Sequence, residues 1–190
     1  TMVGMVQVPG ADGVFYIFTT TPVEDGAYEL RYSIVDLKQR AVVSANNLLF
    51  TRSTERVAIF GGRGSNAVVV AHEYGSNTFR AYPISDQGIG DPVLSSVGSV
   101  HELDDPEEAR GYMKFGGDST GTVLAVALPD RVELFNFDTQ TLQVTDPVTV
   151  DFSGFGAQPY GVEFFIDSLD NTVLLVSTDD GLYTTNIDRP

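Results

Sequence analysis

The residues able to do chemistry fall into two groups. His72-Glu73-Tyr74 and His101-Glu102, followed by Asp104 and Asp105, bring both histidines of the chain and several carboxylates into two short stretches. Imidazole and carboxylate are the ligand types of a transition metal, and a His beside an acid is the minimum for proton transfer. Their spacing matches no His-Glu-x-x-His motif, so the reading assigns no metal to them. The second group is Lys114 and Glu163, on two strands expected to line a channel, where they would act as polar lining or pair with each other. Two loop aromatics, Phe155 within Asp151 to Tyr160 and Tyr160 itself, could stack on a sugar or on a partner side chain.

These residues are positioned by a repeat. The segments 66–85, 121–138 and 171–188 each run from an apolar stretch through a turn of Gly, Pro, Asn or Asp into an alternating strand. A period of roughly 50 residues built only from strands is the signature of β-propeller blades. The reading is therefore all-β: about four blades of four antiparallel strands, near 2–50, 55–100, 111–152 and 160–190, as one segment of a larger propeller. Only Asp104 to Arg110 suggests helix, and there a short turn in an acidic loop. The last blade lacks a fourth strand in this reading, which leaves an edge to be completed. Either the terminal blades seek partners by self-association or from the remainder of a larger chain, or residues 2–8 pair with the last blade and close the ring.

With 26 acidic residues against 11 Lys and Arg, the net charge of −15 excludes a broad basic surface for nucleic acid. No apolar run reaches the ~18 residues of a membrane helix, so membrane insertion is not expected. Without cysteine there is no disulfide framework or thiolate chemistry. Asp and Asn crowd the turns at Asp118-Ser119-Thr120, at Asp167 to Asn171 and at Thr178 to Gly181. Calcium is the ion their oxygens would suit, but none has the twelve-residue calcium-loop pattern, and Asx turns explain them without an ion. Gly61-Gly62-Arg63-Gly64 lacks the Lys-Ser/Thr ending of a phosphate loop and reads as a hairpin turn.

At His72 to Phe79, Gly111 to Phe115, Val132 to Asp138 and Tyr160 to Phe164 the chain resembles the propeller region of secreted Bacteroidetes surface proteins. These are the proteins with PKD-type domains and gliding-motility (type IX secretion) C-terminal domains, whose repeats are YVTN- or WD40-like. The resemblance implies a segment of a larger exported protein, extracellular or at the cell surface, and brings no catalytic residues with it. The expectation is a non-enzymatic binding or scaffold module with a protein or glycan partner on the loop face bearing His72, Glu73, Tyr74, His101, Glu102, Phe155 and Tyr160. The alternatives are a propeller enzyme acting on extracellular carbohydrate or a small substrate in the channel, and a structural spacer in an adhesin-like chain.

Overall fold

The computed structural model describes residues 2–62, 66–118 and 121–187. Four antiparallel sheets follow one another along the chain. The first holds β1 (Val3–Gln7), β2 (Val14–Thr20), β3 (Glu29–Asp36) and β4 (Ala41–Thr51) in chain order. The second holds β5 (Ser53–Gly61), β6 (Ala67–Glu73) and β7 (Thr78–Ser85), with an outer edge split between β8 (Gly88–Ile89) and β9 (Val93–Ser96), both paired to β7. The third is β10 (Met113–Asp118), β11 (Gly121–Ala127), β12 (Arg131–Phe137) and β13 (Val144–Asp151). The fourth has three strands, β14 (Pro159–Ile166), β15 (Thr172–Thr178) and β16 (Leu182–Asn186).

The position of a strand within its blade explains its composition. The second strands of the two middle blades are covered on both faces by neighbouring blades, so β6 (Ala-Val-Val-Val-Ala-His-Glu) and β11 (Gly-Thr-Val-Leu-Ala-Val-Ala) read as continuous apolar runs rather than alternating ones. Outer strands face water, and β4 and β13 are largely exposed. The third-to-fourth strand turns repeat one chemistry. Asp36 accepts from the backbone N–H of Lys38 and Gln39 at 2.8 and 3.0 Å, and Asp138 from those of Gln140 and Thr141 at 2.8 and 3.1 Å. Four residues after each Asp, Arg40 and Leu142 sit at φ of 52° and 61°. Such Asx turns set the hairpin register without a bound ion.

Three apolar seams hold the blades face to face. Val6, Phe18 and Leu30 meet Val57 and Val69 between the first and second sheets. Phe79 and Val70 meet Leu124 and Phe135 between the second and third. Val123 and Leu134 meet Val162, Leu174 and the partly buried Phe164 between the third and fourth. Among the described residues no such seam joins the fourth sheet to the first, and β16 is paired on one side only. Closure by residues 2–8 is corrected here: β1 is the innermost strand of the first sheet, and its ladder runs to β2. It takes that place because Val6 belongs to the first seam, on the face turned toward Val57.

The acidic loop before β10 does carry a short 3-10 turn, Pro106–Ala109. Asp105 caps it, accepting from the N–H of Glu107, and Pro stands in the first turn. No described helix is long and apolar enough to cross a membrane.

Candidate functional site

Because the strands of each sheet run antiparallel in chain order, the first-to-second sheet connection, the 97–112 loop and the 152–158 loop lie at one end of the arc, together with the turns after β2, β6, β11 and β15. A cleft of about 360 Å³ opens at this end between the third and fourth blades. One wall comes from the 97–112 loop, through Glu107, Arg110 and Gly111. The opposite wall is the start of β14, Gln158 to Tyr160, and the end of β15, Ser177 to Asp179. A second depression of about 170 Å³, sharing Ser177, runs along β10 and β14 past Tyr112, Lys114 and Glu163.

Tyr112 and Tyr160 stand at the junction of the two depressions. Their rings lie 5.6 Å apart at 65°, and both are substantially exposed, at 40% and 51%. Two aromatics are held at that spacing because the strands beneath them are tied, the Tyr112 N–H donating to the Tyr160 carbonyl at 2.8 Å. Gly111 makes the approach feasible. At φ 101°, a Cβ there would lie 2.8 Å from the Ala127 carbonyl oxygen, a spot only glycine can occupy.

Polar groups ring the tyrosines. Arg110 pairs with Glu107 in its own loop and with Glu24 of the turn after β2, which ties the first blade to the cleft wall. Asp179 accepts from the Gln158 N–H at 2.8 Å, and Lys114 Nζ lies 2.7 Å from Glu163. Exposed aromatic faces bordered by carboxylates, an amide and hydroxyls are the recognition chemistry of a sugar, which offers apolar C–H faces and a rim of hydroxyls. Carboxylates at Glu107, Asp179 and Glu163 also supply the group type that glycosidic-bond chemistry uses in pairs.

The structure divides the seven loop-face residues expected from sequence. Tyr160 lines the cleft, and Phe155 is 65% exposed, leaning toward Phe152 and Tyr183 at centroid distances of 6.0 and 5.7 Å. Glu102 is exposed on the 97–112 loop. Glu73 is partly covered and engaged by Arg80, whose Nε donates to it at 2.8 Å. His72, Tyr74 and His101 are corrected: they are 1%, 1% and 0% exposed and present nothing to a surface ligand. His72 is still part of the doubly covered β6, not of the turn after it. The 97–112 loop folds inward, so that His101 stacks on His72 at 3.6 Å and 22°. Tyr74 packs against Tyr28 at 4.7 Å and donates its hydroxyl to the Leu103 carbonyl at 3.0 Å; burial pushes its pKa up to about 12.

No group of three or more His, Asp or Glu among the described residues is arranged to hold a metal. Asp167 spends its oxygens locally, on the N–H groups of Leu169 and Asn171 and on the Asn171 amide, at 2.8 to 3.0 Å. Of the other two acidic turns, Thr178 accepts from the N–H of Gly181 at 3.1 Å, while Ser119 and Thr120 of the turn that begins at Asp118 lie outside the described residues, as do Arg63 and Gly64.

Sequence alone does not single out Arg110, Tyr112 or Gln158, and it marks Asp179 only as part of the acidic Thr178 to Gly181 turn. A signal for one was present: Tyr112 and Tyr160 head the innermost strands of two successive blades, a repeated aromatic at one structural position.

The sequence matches no protein-family model and no curated protein. Solved structures do match. An exo-β-1,3-galactanase from Phanerochaete chrysosporium bound to β-1,3-galactotriose aligns with 98% of this chain at TM-score 0.56 and 8% identity. A GH43 β-1,3-galactosidase with galactodeoxynojirimycin aligns with 100% at TM-score 0.54 and 7% identity. This chain spans 46% of the first and 73% of the second. Both are five-bladed β-propellers. The expectation of a non-enzymatic binding or scaffold module is corrected by this finding, because these structures, which share the fold over nearly the whole chain, are carbohydrate enzymes, the class of the alternative reading. At such identities the likeness speaks to architecture, and on that ground the chain is a β-propeller of at least four consecutive blades.

Proposed function

We propose that this chain is propeller sequence of an extracellular carbohydrate-acting enzyme, and that a saccharide lies across Tyr112 and Tyr160 in the cleft between the third and fourth blades. The observation that carries the reading is the exposed tyrosine pair bordered by Arg110, Gln158, Asp179 and the Lys114–Glu163 pair. The shared architecture with galactan-processing propellers supports it and suggests β-linked galacto-oligosaccharides as the first substrates to try. In this reading the tyrosines hold the ring faces while Arg110 and Gln158 donate to hydroxyls. Glu107, Asp179 and Glu163 are the carboxylates from which a proton donor and a base or nucleophile would be drawn. The acidic, cysteine-free composition suits an exported protein, as does the resemblance to Bacteroidetes surface propellers.

The test is a panel of β-linked oligosaccharides and aryl glycosides, with product detection and calorimetry. Tyr160→Ala is expected to weaken saccharide binding about tenfold, the equivalent of ~1.4 kcal/mol. Glu163→Gln, Asp179→Asn and Glu107→Gln together locate any carboxylate that turnover needs. The absence of both product and saturable binding across the panel would defeat the proposal.

A further inference from the structure

Arg56, His72 and His101 form a stack sealed inside the protein, at 0%, 1% and 0% exposure. The imidazoles lie face to face at 3.6 Å, with Phe79 edge-on to His72 at 4.6 Å. Arg56 Nη1 faces His101 Nδ1 at 3.3 Å and donates to the Glu108 carbonyl at 2.6 Å, while Nε donates to the Ala127 carbonyl at 2.9 Å. Both ring nitrogens of His72 and Nε2 of His101 have no hydrogen-bond partner among the described residues.

The stack anchors the 97–112 loop. The His101 N–H donates to the Ser76 carbonyl at 3.0 Å, the Gly75 N–H to the His101 carbonyl at 2.7 Å, and Arg56 grips Glu108 in the same loop. That loop supplies Glu107, Arg110 and Gly111 to the cleft. Arg56 remains a cation at neutral pH although burial pushes it down to about 9, and a guanidinium can only donate. His101 Nδ1 must therefore accept, which puts the proton of the neutral ring on Nε2. A second proton would set an N–H against the guanidinium, and a proton on His72 would place a cation in the same dry stack.

We propose that the Arg56–His101–His72 stack is an acid-released latch on the 97–112 loop: protonation of either ring frees the loop and takes apart the cleft wall made by Glu107, Arg110 and Gly111. The charged neighbours do not compensate. Glu55 and Arg56 lie on β5, Glu73 on β6 is held by Arg80, and Arg131 and Glu133 stand on β12. Glu108 of the loop is engaged by Arg131 at 3.3 Å, and Glu133 accepts from the Ser99 N–H at 3.2 Å.

The direction follows from linkage. Burial first, then Arg56, pushes His72 down to about 3, while burial, His72, Arg56 and Arg131 hold His101 well below 6.5. A released loop restores the ordinary value near 6.5, so the released state binds more protons and gains as pH falls below that value. At pH 5 the His72 shift alone multiplies the opening equilibrium about thirtyfold.

Hydrogen exchange on the intact chain at pH 7 and pH 5, corrected for intrinsic rates, tests this. The amides of His101 and Gly75 are expected to lose protection tenfold or more relative to Leu124 in β11. His72→Phe, which keeps the stacked shape without a titrating group, and His101→Asn, which keeps an acceptor for Arg56, should each reduce that loss, and the double variant should abolish it. Loop amides that follow Leu124, or a full loss persisting in both variants, would overturn the latch. So would a loss abolished by Glu108→Gln, because the switch would then be that carboxyl, whose pKa burial raises. The consequence for ligand rests on the saccharide reading and is tested apart, by titrating β-1,3-galactotriose at both pH values. Weaker binding at pH 5 supports the latch, and equal binding overturns its control of the cleft. No binding at pH 7 sinks the carbohydrate reading while exchange still decides the latch.

Discussion

Gly116→Ala should strike the seam on which the cleft is built. Gly116 lies on β10 opposite Val123, and its side toward the fourth blade is filled by the ring of Phe164 on β14. An added Cβ would sit 2.6 Å from Phe164 Cδ1 and nearer still to Cγ, against the 3.4 Å or more of ordinary contact. The partly buried ring packs against the third seam, so swinging it aside would cost that contact. Relief without that swing requires β10 and β14 to part by more than an ångström. Overpacking of this kind costs about 1–3 kcal/mol. Loss of glycine's freedom in the unfolded chain returns about 0.4–1 kcal/mol. A net loss near 1–2 kcal/mol lowers Tm by about 2–8 °C in a chain of this size. Urea unfolding of Gly116→Ala, Phe164→Ala and the double variant reads it directly. Phe164→Ala alone loses burial, but adding Gly116→Ala to it should cost less than about 0.5 kcal/mol, because the obstructing ring is gone. An equal penalty in both backgrounds, or none in the wild type, would refute the argument.

Arg56→Met should destabilise by about 2–5 kcal/mol in urea unfolding, since the Glu108 and Ala127 carbonyls and His101 Nδ1 all lose a buried donor. Glu163→Gln should change stability by less than about 1 kcal/mol, because the Lys114 pair is half exposed, so a large drop in turnover would mark chemistry rather than folding. Hydrogen bonds from Asn171 and Leu169 hold the Asp167 carboxyl below its ordinary 3.8, so its contribution is present above that value and fades as pH falls through the lower one. Asp167→Asn should flatten that acid limb of a stability profile. Addition of calcium or of chelator should leave Tm unchanged, the oxygens of Asp167 being already taken by its own turn.

The blades were legible because their signals are local. Apolar runs of β6 and β11 mark strands covered on both faces, and Asp36 and Asp138 mark turns by a side chain bonding its own backbone. The site was harder. His72 looked like a turn residue because polar residues end strands, yet it lies within β6 and is buried by a loop about 30 residues away. Arg56 drew no attention in the run Glu55 to Phe60, although a lone cation in an innermost strand has to find acceptors; they come from Ala127 and Glu108, 71 and 52 residues distant. The cleft draws on three separate stretches, 107–111, 129 and 158–160, with a fourth at 177–179, and no spacing rule joins them. Tyr160 was the member within reach, as an aromatic closing a glycine-rich loop.

The most direct test of the central claim is incubation of the intact protein with β-1,3-galactotriose and related β-linked oligosaccharides, followed by chromatography of the products. Shortened saccharide that appears with wild type, declines about tenfold at subsaturating substrate with Tyr160→Ala, and vanishes with one of Glu163→Gln, Asp179→Asn or Glu107→Gln is the predicted result. Unchanged oligosaccharides with wild type, or products formed equally by Tyr160→Ala and all three carboxylate variants, would contradict it.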